Sequence, residues 1–194
     1  MNTWLDHLLE AAQGAEPCVT VTVAAVRGSA PREPGAGMTV TPNRVLGTIG
    51  GGNLELSAIE RARRLLETDE RSPGGGELCR YLLGTQLGQC CGGIAYLHYQ
   101  TFSGHPPDWL VELSALRDQG REAILVSRQG HDPNDHLVVT AARTGDLAIS
   151  GESPDEAVSA ARAALEDWPP GRDLLWSREG GYGPPSDLQR FVLM

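Results

Sequence analysis

Three short stretches of this chain concentrate residue types that can do chemistry. In Arg27-Gly28-Ser29-Ala30-Pro31-Arg32, two guanidinium groups and a hydroxyl sit on a loop stiffened by prolines. A guanidinium is a planar fork of donors that matches phosphate or carboxylate, so Arg27, Ser29 and Arg32 suit an anion. The plainer reading is two surface arginines pairing with the protein's own carboxylates. In Leu46-Gly47-Thr48-Ile49-Gly50-Gly51-Gly52-Asn53-Leu54-Glu55, three glycines separate a short apolar segment from a helical pattern. A strand, glycine turn and helix start in series gathers unpaired N–H groups and the positive end of a helix dipole, an arrangement able to hold a phosphate. The alternative is a tight turn at Gly50, Gly51 and Gly52 that needs glycine only for positive φ or close packing. Glu55 falls at N3 if Gly52 is the N-cap, where it either closes the first helical turn or works on a ligand as a base or contact.

The third stretch is Leu87-Gly88-Gln89-Cys90-Cys91-Gly92-Gly93. A cysteine on a turn beside free amides and a helix end is a thiolate candidate suited to sulfur transfer or a soft metal, whereas a buried cysteine is a small hydrophobe. Neighbouring side chains on extended backbone point opposite ways, so one thiol is expected inside and the other in the cleft shared with the glycine turn. Proximity to Gly92, where a bound group can approach closely, favours Cys91 as the outward thiol and Cys90 as the buried one.

A fourth set, His131, Asp132 and His136, contains metal-ligand types, but Pro133 and Asn134 interrupt it and no helical period aligns the imidazoles. A hairpin loop is the better reading of it. The glycines do not give the dinucleotide fingerprint G-x-G-x-x-G, no Lys-Ser or Lys-Thr follows them, and no G-x-S-x-G or C-x-x-C is present. A cysteine nucleophile would lack a recognisable base, so the chain reads as a non-enzyme.

Composition narrows the classes further. The formal net charge of -9 argues against a nucleic-acid surface, so any anion needs a local site built from amides and a few arginines. No apolar run approaches the length of a membrane span. Asp6 and Glu10 stand where a basic leader would be, which makes a cytoplasmic chain the expectation. Four cysteines in 194 residues fit reduced thiols better than a disulfide framework.

The elements that position these stretches follow from periodicity. Trp4, Leu5, Leu8 and Leu9 mark a short helix, and Cys18 to Val26 reads as a β-branched strand. Met38 to Thr41 and Val45 to Ile49 can pair as a hairpin across Pro42-Asn43-Arg44. The arginine loop and the glycine turn then share one end of the sheet only if the first strand runs beside the last in the same direction. Leu54, Ala58, Ala62, Leu65 and Leu66 form a helical stripe. Strands are expected at Glu77 to Leu83 and Ile94 to Thr101, the latter alternating. A helix opened by Pro106-Pro107 carries Trp109, Leu113 and Leu116, with Gly120 as its stop. Ala123 to Ser127, His136 to Ala141 and Asp146 to Ser150 read as strands, the last two a hairpin. Ser153-Pro154-Asp155-Glu156 starts a helix to about Trp168 by a capping box. Leu174 to Trp176 is an apolar patch, and Leu188 to Met194 a final strand. The sum is a mixed α/β fold, a mixed sheet with hairpins and about four flanking helices. A single domain over residues 1–194 is expected, with a motif-bearing core at 1–105, a second part at 106–171 and a tail at 172–194.

Taken together, the three motifs resemble the XdhC/CoxI family. The resemblance implies a molybdenum cofactor chaperone: a protein that binds molybdopterin as cargo, protects it in sulfurated form and delivers it to a xanthine dehydrogenase-type molybdenum hydroxylase. A cysteine desulfurase is the implied partner in sulfuration, and a homodimer is possible. Carried over by motif, the cofactor-binding residues are Arg27, Ser29, Arg32, Gly50, Gly51, Gly52, Glu55, Gln89, Cys90, Cys91 and Gly92. Where many relatives on the CoxI side carry cysteine, this chain has Asn53, which puts more weight on Cys90 and Cys91. The resemblance also implies a following Rossmann-like domain that these 194 residues do not contain. A competing reading is an interaction module that docks on the oxidoreductase or desulfurase without holding cofactor.

Overall fold

Valine and threonine alternate along CVTVTVAAVR, and this segment forms the central strand of the motif-bearing part, β1 (Cys18–Arg27). Val19, Val21 and Val23 reach one buried face and Thr20 and Thr22 the other, so both sides of the strand are covered. The structure, a computed structural model, describes residues 4–67, 76–102, 106–119, 123–128, 136–141, 147–150, 173–177 and 188–193. By its internal contacts the chain divides into two compact units.

The first unit comprises α1 (Trp4–Gln13), β1, β2 (Gly37–Val40), β3 (Val45–Gly47), α2 (Gly52–Glu67), β4 (Gly76–Leu82) and β5 (Ile94–Phe102). Its sheet has the order β3-β2-β1-β5-β4 and every neighbouring pair is antiparallel. Since β2 reverses between them, β1 and β3 run the same way. They are not side by side, yet the chain leaves both at the same end of the sheet. The β1–β5 register pairs Arg27 with Ile94 and slips between Val23 and Ala25. A bulge there sharpens the local twist just before the chain enters the arginine loop. The loops after β1, after β3 and before β5 therefore emerge at one end, and these are the three motifs.

The core under α2 contains Val21, Met38, Ile49, Leu54, Ala58, Leu83 and Leu97. Leu54, Ala58 and Ala62 of the helical stripe are buried, while Leu65 and Leu66 are half-buried. Complete burial of one such leucine stabilises by about 2 kcal/mol. The strand expected at Val45 to Ile49 is shorter: Val45 and Leu46 are half-buried on an edge strand, and Ile49 is buried beyond it. Arg44, on the β2–β3 turn, binds Glu10 at 2.5 Å and Glu16 at 2.9 Å, tying that hairpin to the end of α1.

The second unit comprises α3 (Asp108–Asp118), β6 (Ala123–Arg128), β7 (His136–Ala141), β8 (Leu147–Ser150), β9 (Asp173–Ser177) and β10 (Leu188–Leu193). Its sheet order is β8-β7-β6-β10-β9, again antiparallel throughout, with α3 packed on β6 and β7. Pro107 stands at the N-cap of α3, and Trp109, Leu113 and Leu116 are buried as their spacing predicts. The hairpin of β7 and β8 and the closing strand are present. A mixed α/β fold with multi-stranded sheets and three helices among the described residues is thus established. The helix expected after Ser153, the stop at Gly120 and the pair His131 and Asp132 lie outside the described residues.

Candidate functional site

Three glycines in a row, Gly50, Gly51 and Gly52, all have positive φ, at 111°, 75° and 68°. This left-handed run is what glycine permits and other residues resist. It turns the chain from β3 into α2 and leaves N–H groups pointing inward. Those groups are met from within the protein. Glu55, one turn into α2, accepts from the amides of Ile49 at 3.0 Å and Gly51 at 3.1 Å, and from the Thr48 hydroxyl at 2.5 Å. Thr48 in turn accepts from the Gly50 amide at 3.1 Å. Burial raises the pKa of Glu55, but the Thr48 hydroxyl and the two amides outweigh it and hold the carboxyl below its usual value. The chemistry is that of an anion in an amide cradle, and the anion is the protein's own.

The first turn of α2 is also capped. The side-chain amide of Gln89 faces the N–H groups of Asn53 and Leu54, and with its oxygen toward them it accepts from both at 3.2 Å. That orientation is assigned because the opposite one would aim NH2 at two donors. Asn53 reciprocates, its Nδ2 donating to the Leu87 carbonyl at 2.7 Å. The glycine turn and the cysteine loop are therefore joined by side chains running in both directions.

Close backbone approach joins the remaining pairs. A Cβ on Gly93 would lie 2.2 Å from the Ser29 carbonyl oxygen and 2.5 Å from that of Arg27, and the Gly93 amide donates to Ser29 O at 3.1 Å. A Cβ on Gly50 would lie 2.6 Å from Pro31 Cβ and 3.0 Å from Arg32 Cγ. The arginine loop thus touches both other motifs. The structure brings all three together at one end of the first unit's sheet, and Arg27, Ser29, Arg32, Gly50, Gly51, Gly52, Glu55, Gln89, Cys90, Cys91 and Gly92 all belong to these linked segments.

Within the cluster the side chains differ in availability. Arg32 is 39% exposed and pairs at 3.4 Å with the exposed Glu33, a weak surface contact that a stronger anion can replace. Arg27 ends β1 and is half-buried, and Ser29 is exposed. One thiol faces in and one out, but opposite to expectation: Cys90 is exposed, whereas Cys91 is half-buried and packs against the core cluster. Gly92 and Gly93 release the backbone before β5, so the strand's alternation does not carry back to the cysteines. Two residues outside the set carried over by motif have a clear geometric part, Thr48 and Asn53. Thr48 lies two residues before Gly50, the spacing of a hydroxyl turn, and that was the available signal. Among the described residues no three His, Cys, Asp or Glu side chains gather where a metal ion could sit.

Comparison with known proteins bears on the same segments. Residues 11–81 match the XdhC and CoxI family. The XdhC and CoxI match covers β1 to β3, α2 and the arginine and glycine motifs, and stops short of the cysteine loop. No curated protein sequence matches the chain. A crystal structure described as a xanthine dehydrogenase from Bacillus halodurans shares the fold at a TM-score of 0.61 and 15% identity. The match covers 98% of this chain and 53% of that one, so the chain spans about half the length of that structure. Its fold extends over both units, beyond the XdhC and CoxI segment. Among the described residues no helix is long and apolar enough to cross a membrane.

Proposed function

We propose that this chain binds molybdenum cofactor as cargo and hands it to a xanthine dehydrogenase-type molybdenum hydroxylase, with no turnover of its own. The supporting observation is the convergence of three sequence-distant motifs at one sheet end, in a chain homologous over residues 11–81 to the XdhC and CoxI family. Molybdopterin carries a phosphate and a dithiolene-bound oxo-metal centre. The phosphate suits a guanidinium, and Arg32, which among the described residues pairs at 3.4 Å with the exposed Glu33, is the side chain best placed to give one. A soft metal centre or its sulfur suits a thiol, and Cys90 is the exposed one. The glycine turn shapes the wall instead of holding the phosphate, since Glu55 already fills the amides of Ile49 and Gly51. When bound, the cargo supplies the metal and the sulfur. The chain's own residues orient and shield it. A cysteine desulfurase is the partner this reading assigns to sulfuration.

The deciding experiment is to purify the chain after co-expression with the cofactor pathway, oxidise it and measure released pterin fluorescence. Recovery above that of an unrelated acidic protein supports the reading, and equal recovery defeats it. A second reading, a module that docks on the oxidoreductase or desulfurase without cargo, draws on the internal capping of the turn by Glu55 and of α2 by Gln89. A pull-down that succeeds equally for the wild-type chain and an Arg32→Ala, Cys90→Ala double variant, with pterin at background, would favour docking.

A further inference from the structure

We infer that Gln89 is a positioning residue: with Asn53 it latches the cysteine loop to the first turn of α2 and so fixes where the exposed Cys90 thiol stands. The latch has two arms. Gln89 reaches the N–H groups of Asn53 and Leu54 at 3.2 Å each, and Asn53 reaches the Leu87 carbonyl at 2.7 Å. The fit is close, since a Cβ on Gly52 would come within 2.7 Å of the Gln89 side-chain amide. The loop is held at both ends by backbone as well. Gln89 N donates to Leu83 O at 2.9 Å, and Gly93 is bound through its amide to Ser29 O at 3.1 Å and through its carbonyl to Leu83 N at 3.0 Å. Only Cys90, Cys91 and Gly92 lie between these anchors.

The span is short, and one of its residues is already committed, because Cys91 packs inward. Little freedom is left to Cys90 while the latch is closed. Truncating the Gln89 side chain leaves the loop's backbone bonds in place but frees it from the first turn of α2, and so lets the thiol sample new orientations. Simple helix capping would make the same two bonds to Asn53 and Leu54, and would cost stability when lost. It would not change how Cys90 behaves in the folded protein. Positioning would.

The consequence for cargo rests on the cofactor reading, but the first test needs no cofactor. Native protein is treated with iodoacetamide well below its unfolding transition, and alkylation of each cysteine is followed by mass spectrometry. Gln89→Ala is expected to raise the Cys90 rate about threefold or more, the size of effect a modest change in local opening gives. Asn53→Ala, which removes one arm, shifts it in the same direction and serves if Gln89→Ala does not fold. Gln89→Glu keeps an acceptor for both amides and returns the rate to the wild-type value. Arg61→Gln, which breaks the ion pair with Glu77 farther along α2, lowers the thermal midpoint without altering the Cys90 rate. A Gln89→Ala chain that melts lower yet shows an unchanged Cys90 rate would overturn the inference and leave Gln89 a helix cap. Pterin retention in the same variants separates the two readings: a changed alkylation rate with no pterin bound by any form counts against the cargo alone.

Discussion

The amide of Gly93 donates to the carbonyl of Ser29 at 3.1 Å, and a Cβ at position 93 would lie 2.2 Å from that same oxygen. Two motifs more than sixty residues apart are thus pressed together backbone to backbone, with glycine as the only residue that fits. The Arg27 carbonyl, 2.5 Å from the same point, closes the other escape.

Gly93→Ala is therefore expected to cost about 3 kcal/mol or more, since neither obstructing atom is a side chain that can swing away. Chemical denaturation measures the loss. Gly92→Ala is the control, because a Cβ there meets nothing within 4 Å. Equal midpoints for the two variants would refute the close approach.

Glu55 gives the chain a defined acid response. Its carboxyl sits below the usual value in the fold, so the unfolded chain takes up this proton more readily than the folded one. The stabilisation is complete above the unfolded value of about 4.3 and disappears as pH falls through the lower folded value. Glu55→Gln should cost about 1 kcal/mol at neutral pH and flatten the acid limb of the stability curve. Urea midpoints at a series of pH values would show it. Parallel acid limbs in the two proteins would mean that the cradle does not depend on the charge.

The opposed cysteines predict opposed variants. Cys91→Ala removes a side chain packed on the core and should cost about 1 kcal/mol with pterin retention intact. Cys90→Ala should leave the thermal midpoint nearly unchanged and reduce pterin retention. Paired melting and pterin measurements in reduced buffer decide it. The reverse pattern would restore the expectation drawn from the glycines alone.

What the sequence made legible divides along physical lines. The stripe Leu54, Ala58, Ala62 and the β-branched run of β1 report burial through periodicity, and each became the element it predicts. β5 was readable as an alternating strand, and there Ala95 through Gln100 are all buried, on both faces of the sheet, between β1 and β4 in the strand order. The motifs could be seen, and their common location follows once β1 and β3 run the same way. The position of Glu55 at N3 predicts a capping role, but its choice of the Ile49 and Gly51 amides depends on the left-handed run of three glycines, which composition allows without fixing. Cysteine polarity was not readable for a related reason. Gly92 and Gly93 erase the alternation that would have transmitted it.

Burial ranks the thiols, and the ranking is measurable. Cys18 is 1% exposed, and burial, then the nearby Glu16 charge, pushes its pKa up to about 12. Cys79 is half-buried on β4, where burial first and the Glu77 carboxylate second push it up to about 11. A thiol reacts as its thiolate, so both stay protonated and slow at pH 8 to 9 in the native state. Cys90 lies at the surface without such cover. In native protein at pH 8, iodoacetamide should modify Cys90 first, with Cys18 and Cys79 reacting only when urea unfolds the chain. Raising the pH to 9 should not bring Cys18 and Cys79 into reach, because both titrate well above it. Modification of Cys18 at a rate near that of Cys90 without denaturant would contradict the packing of β1, and with it the strand end that carries Arg27 into the site.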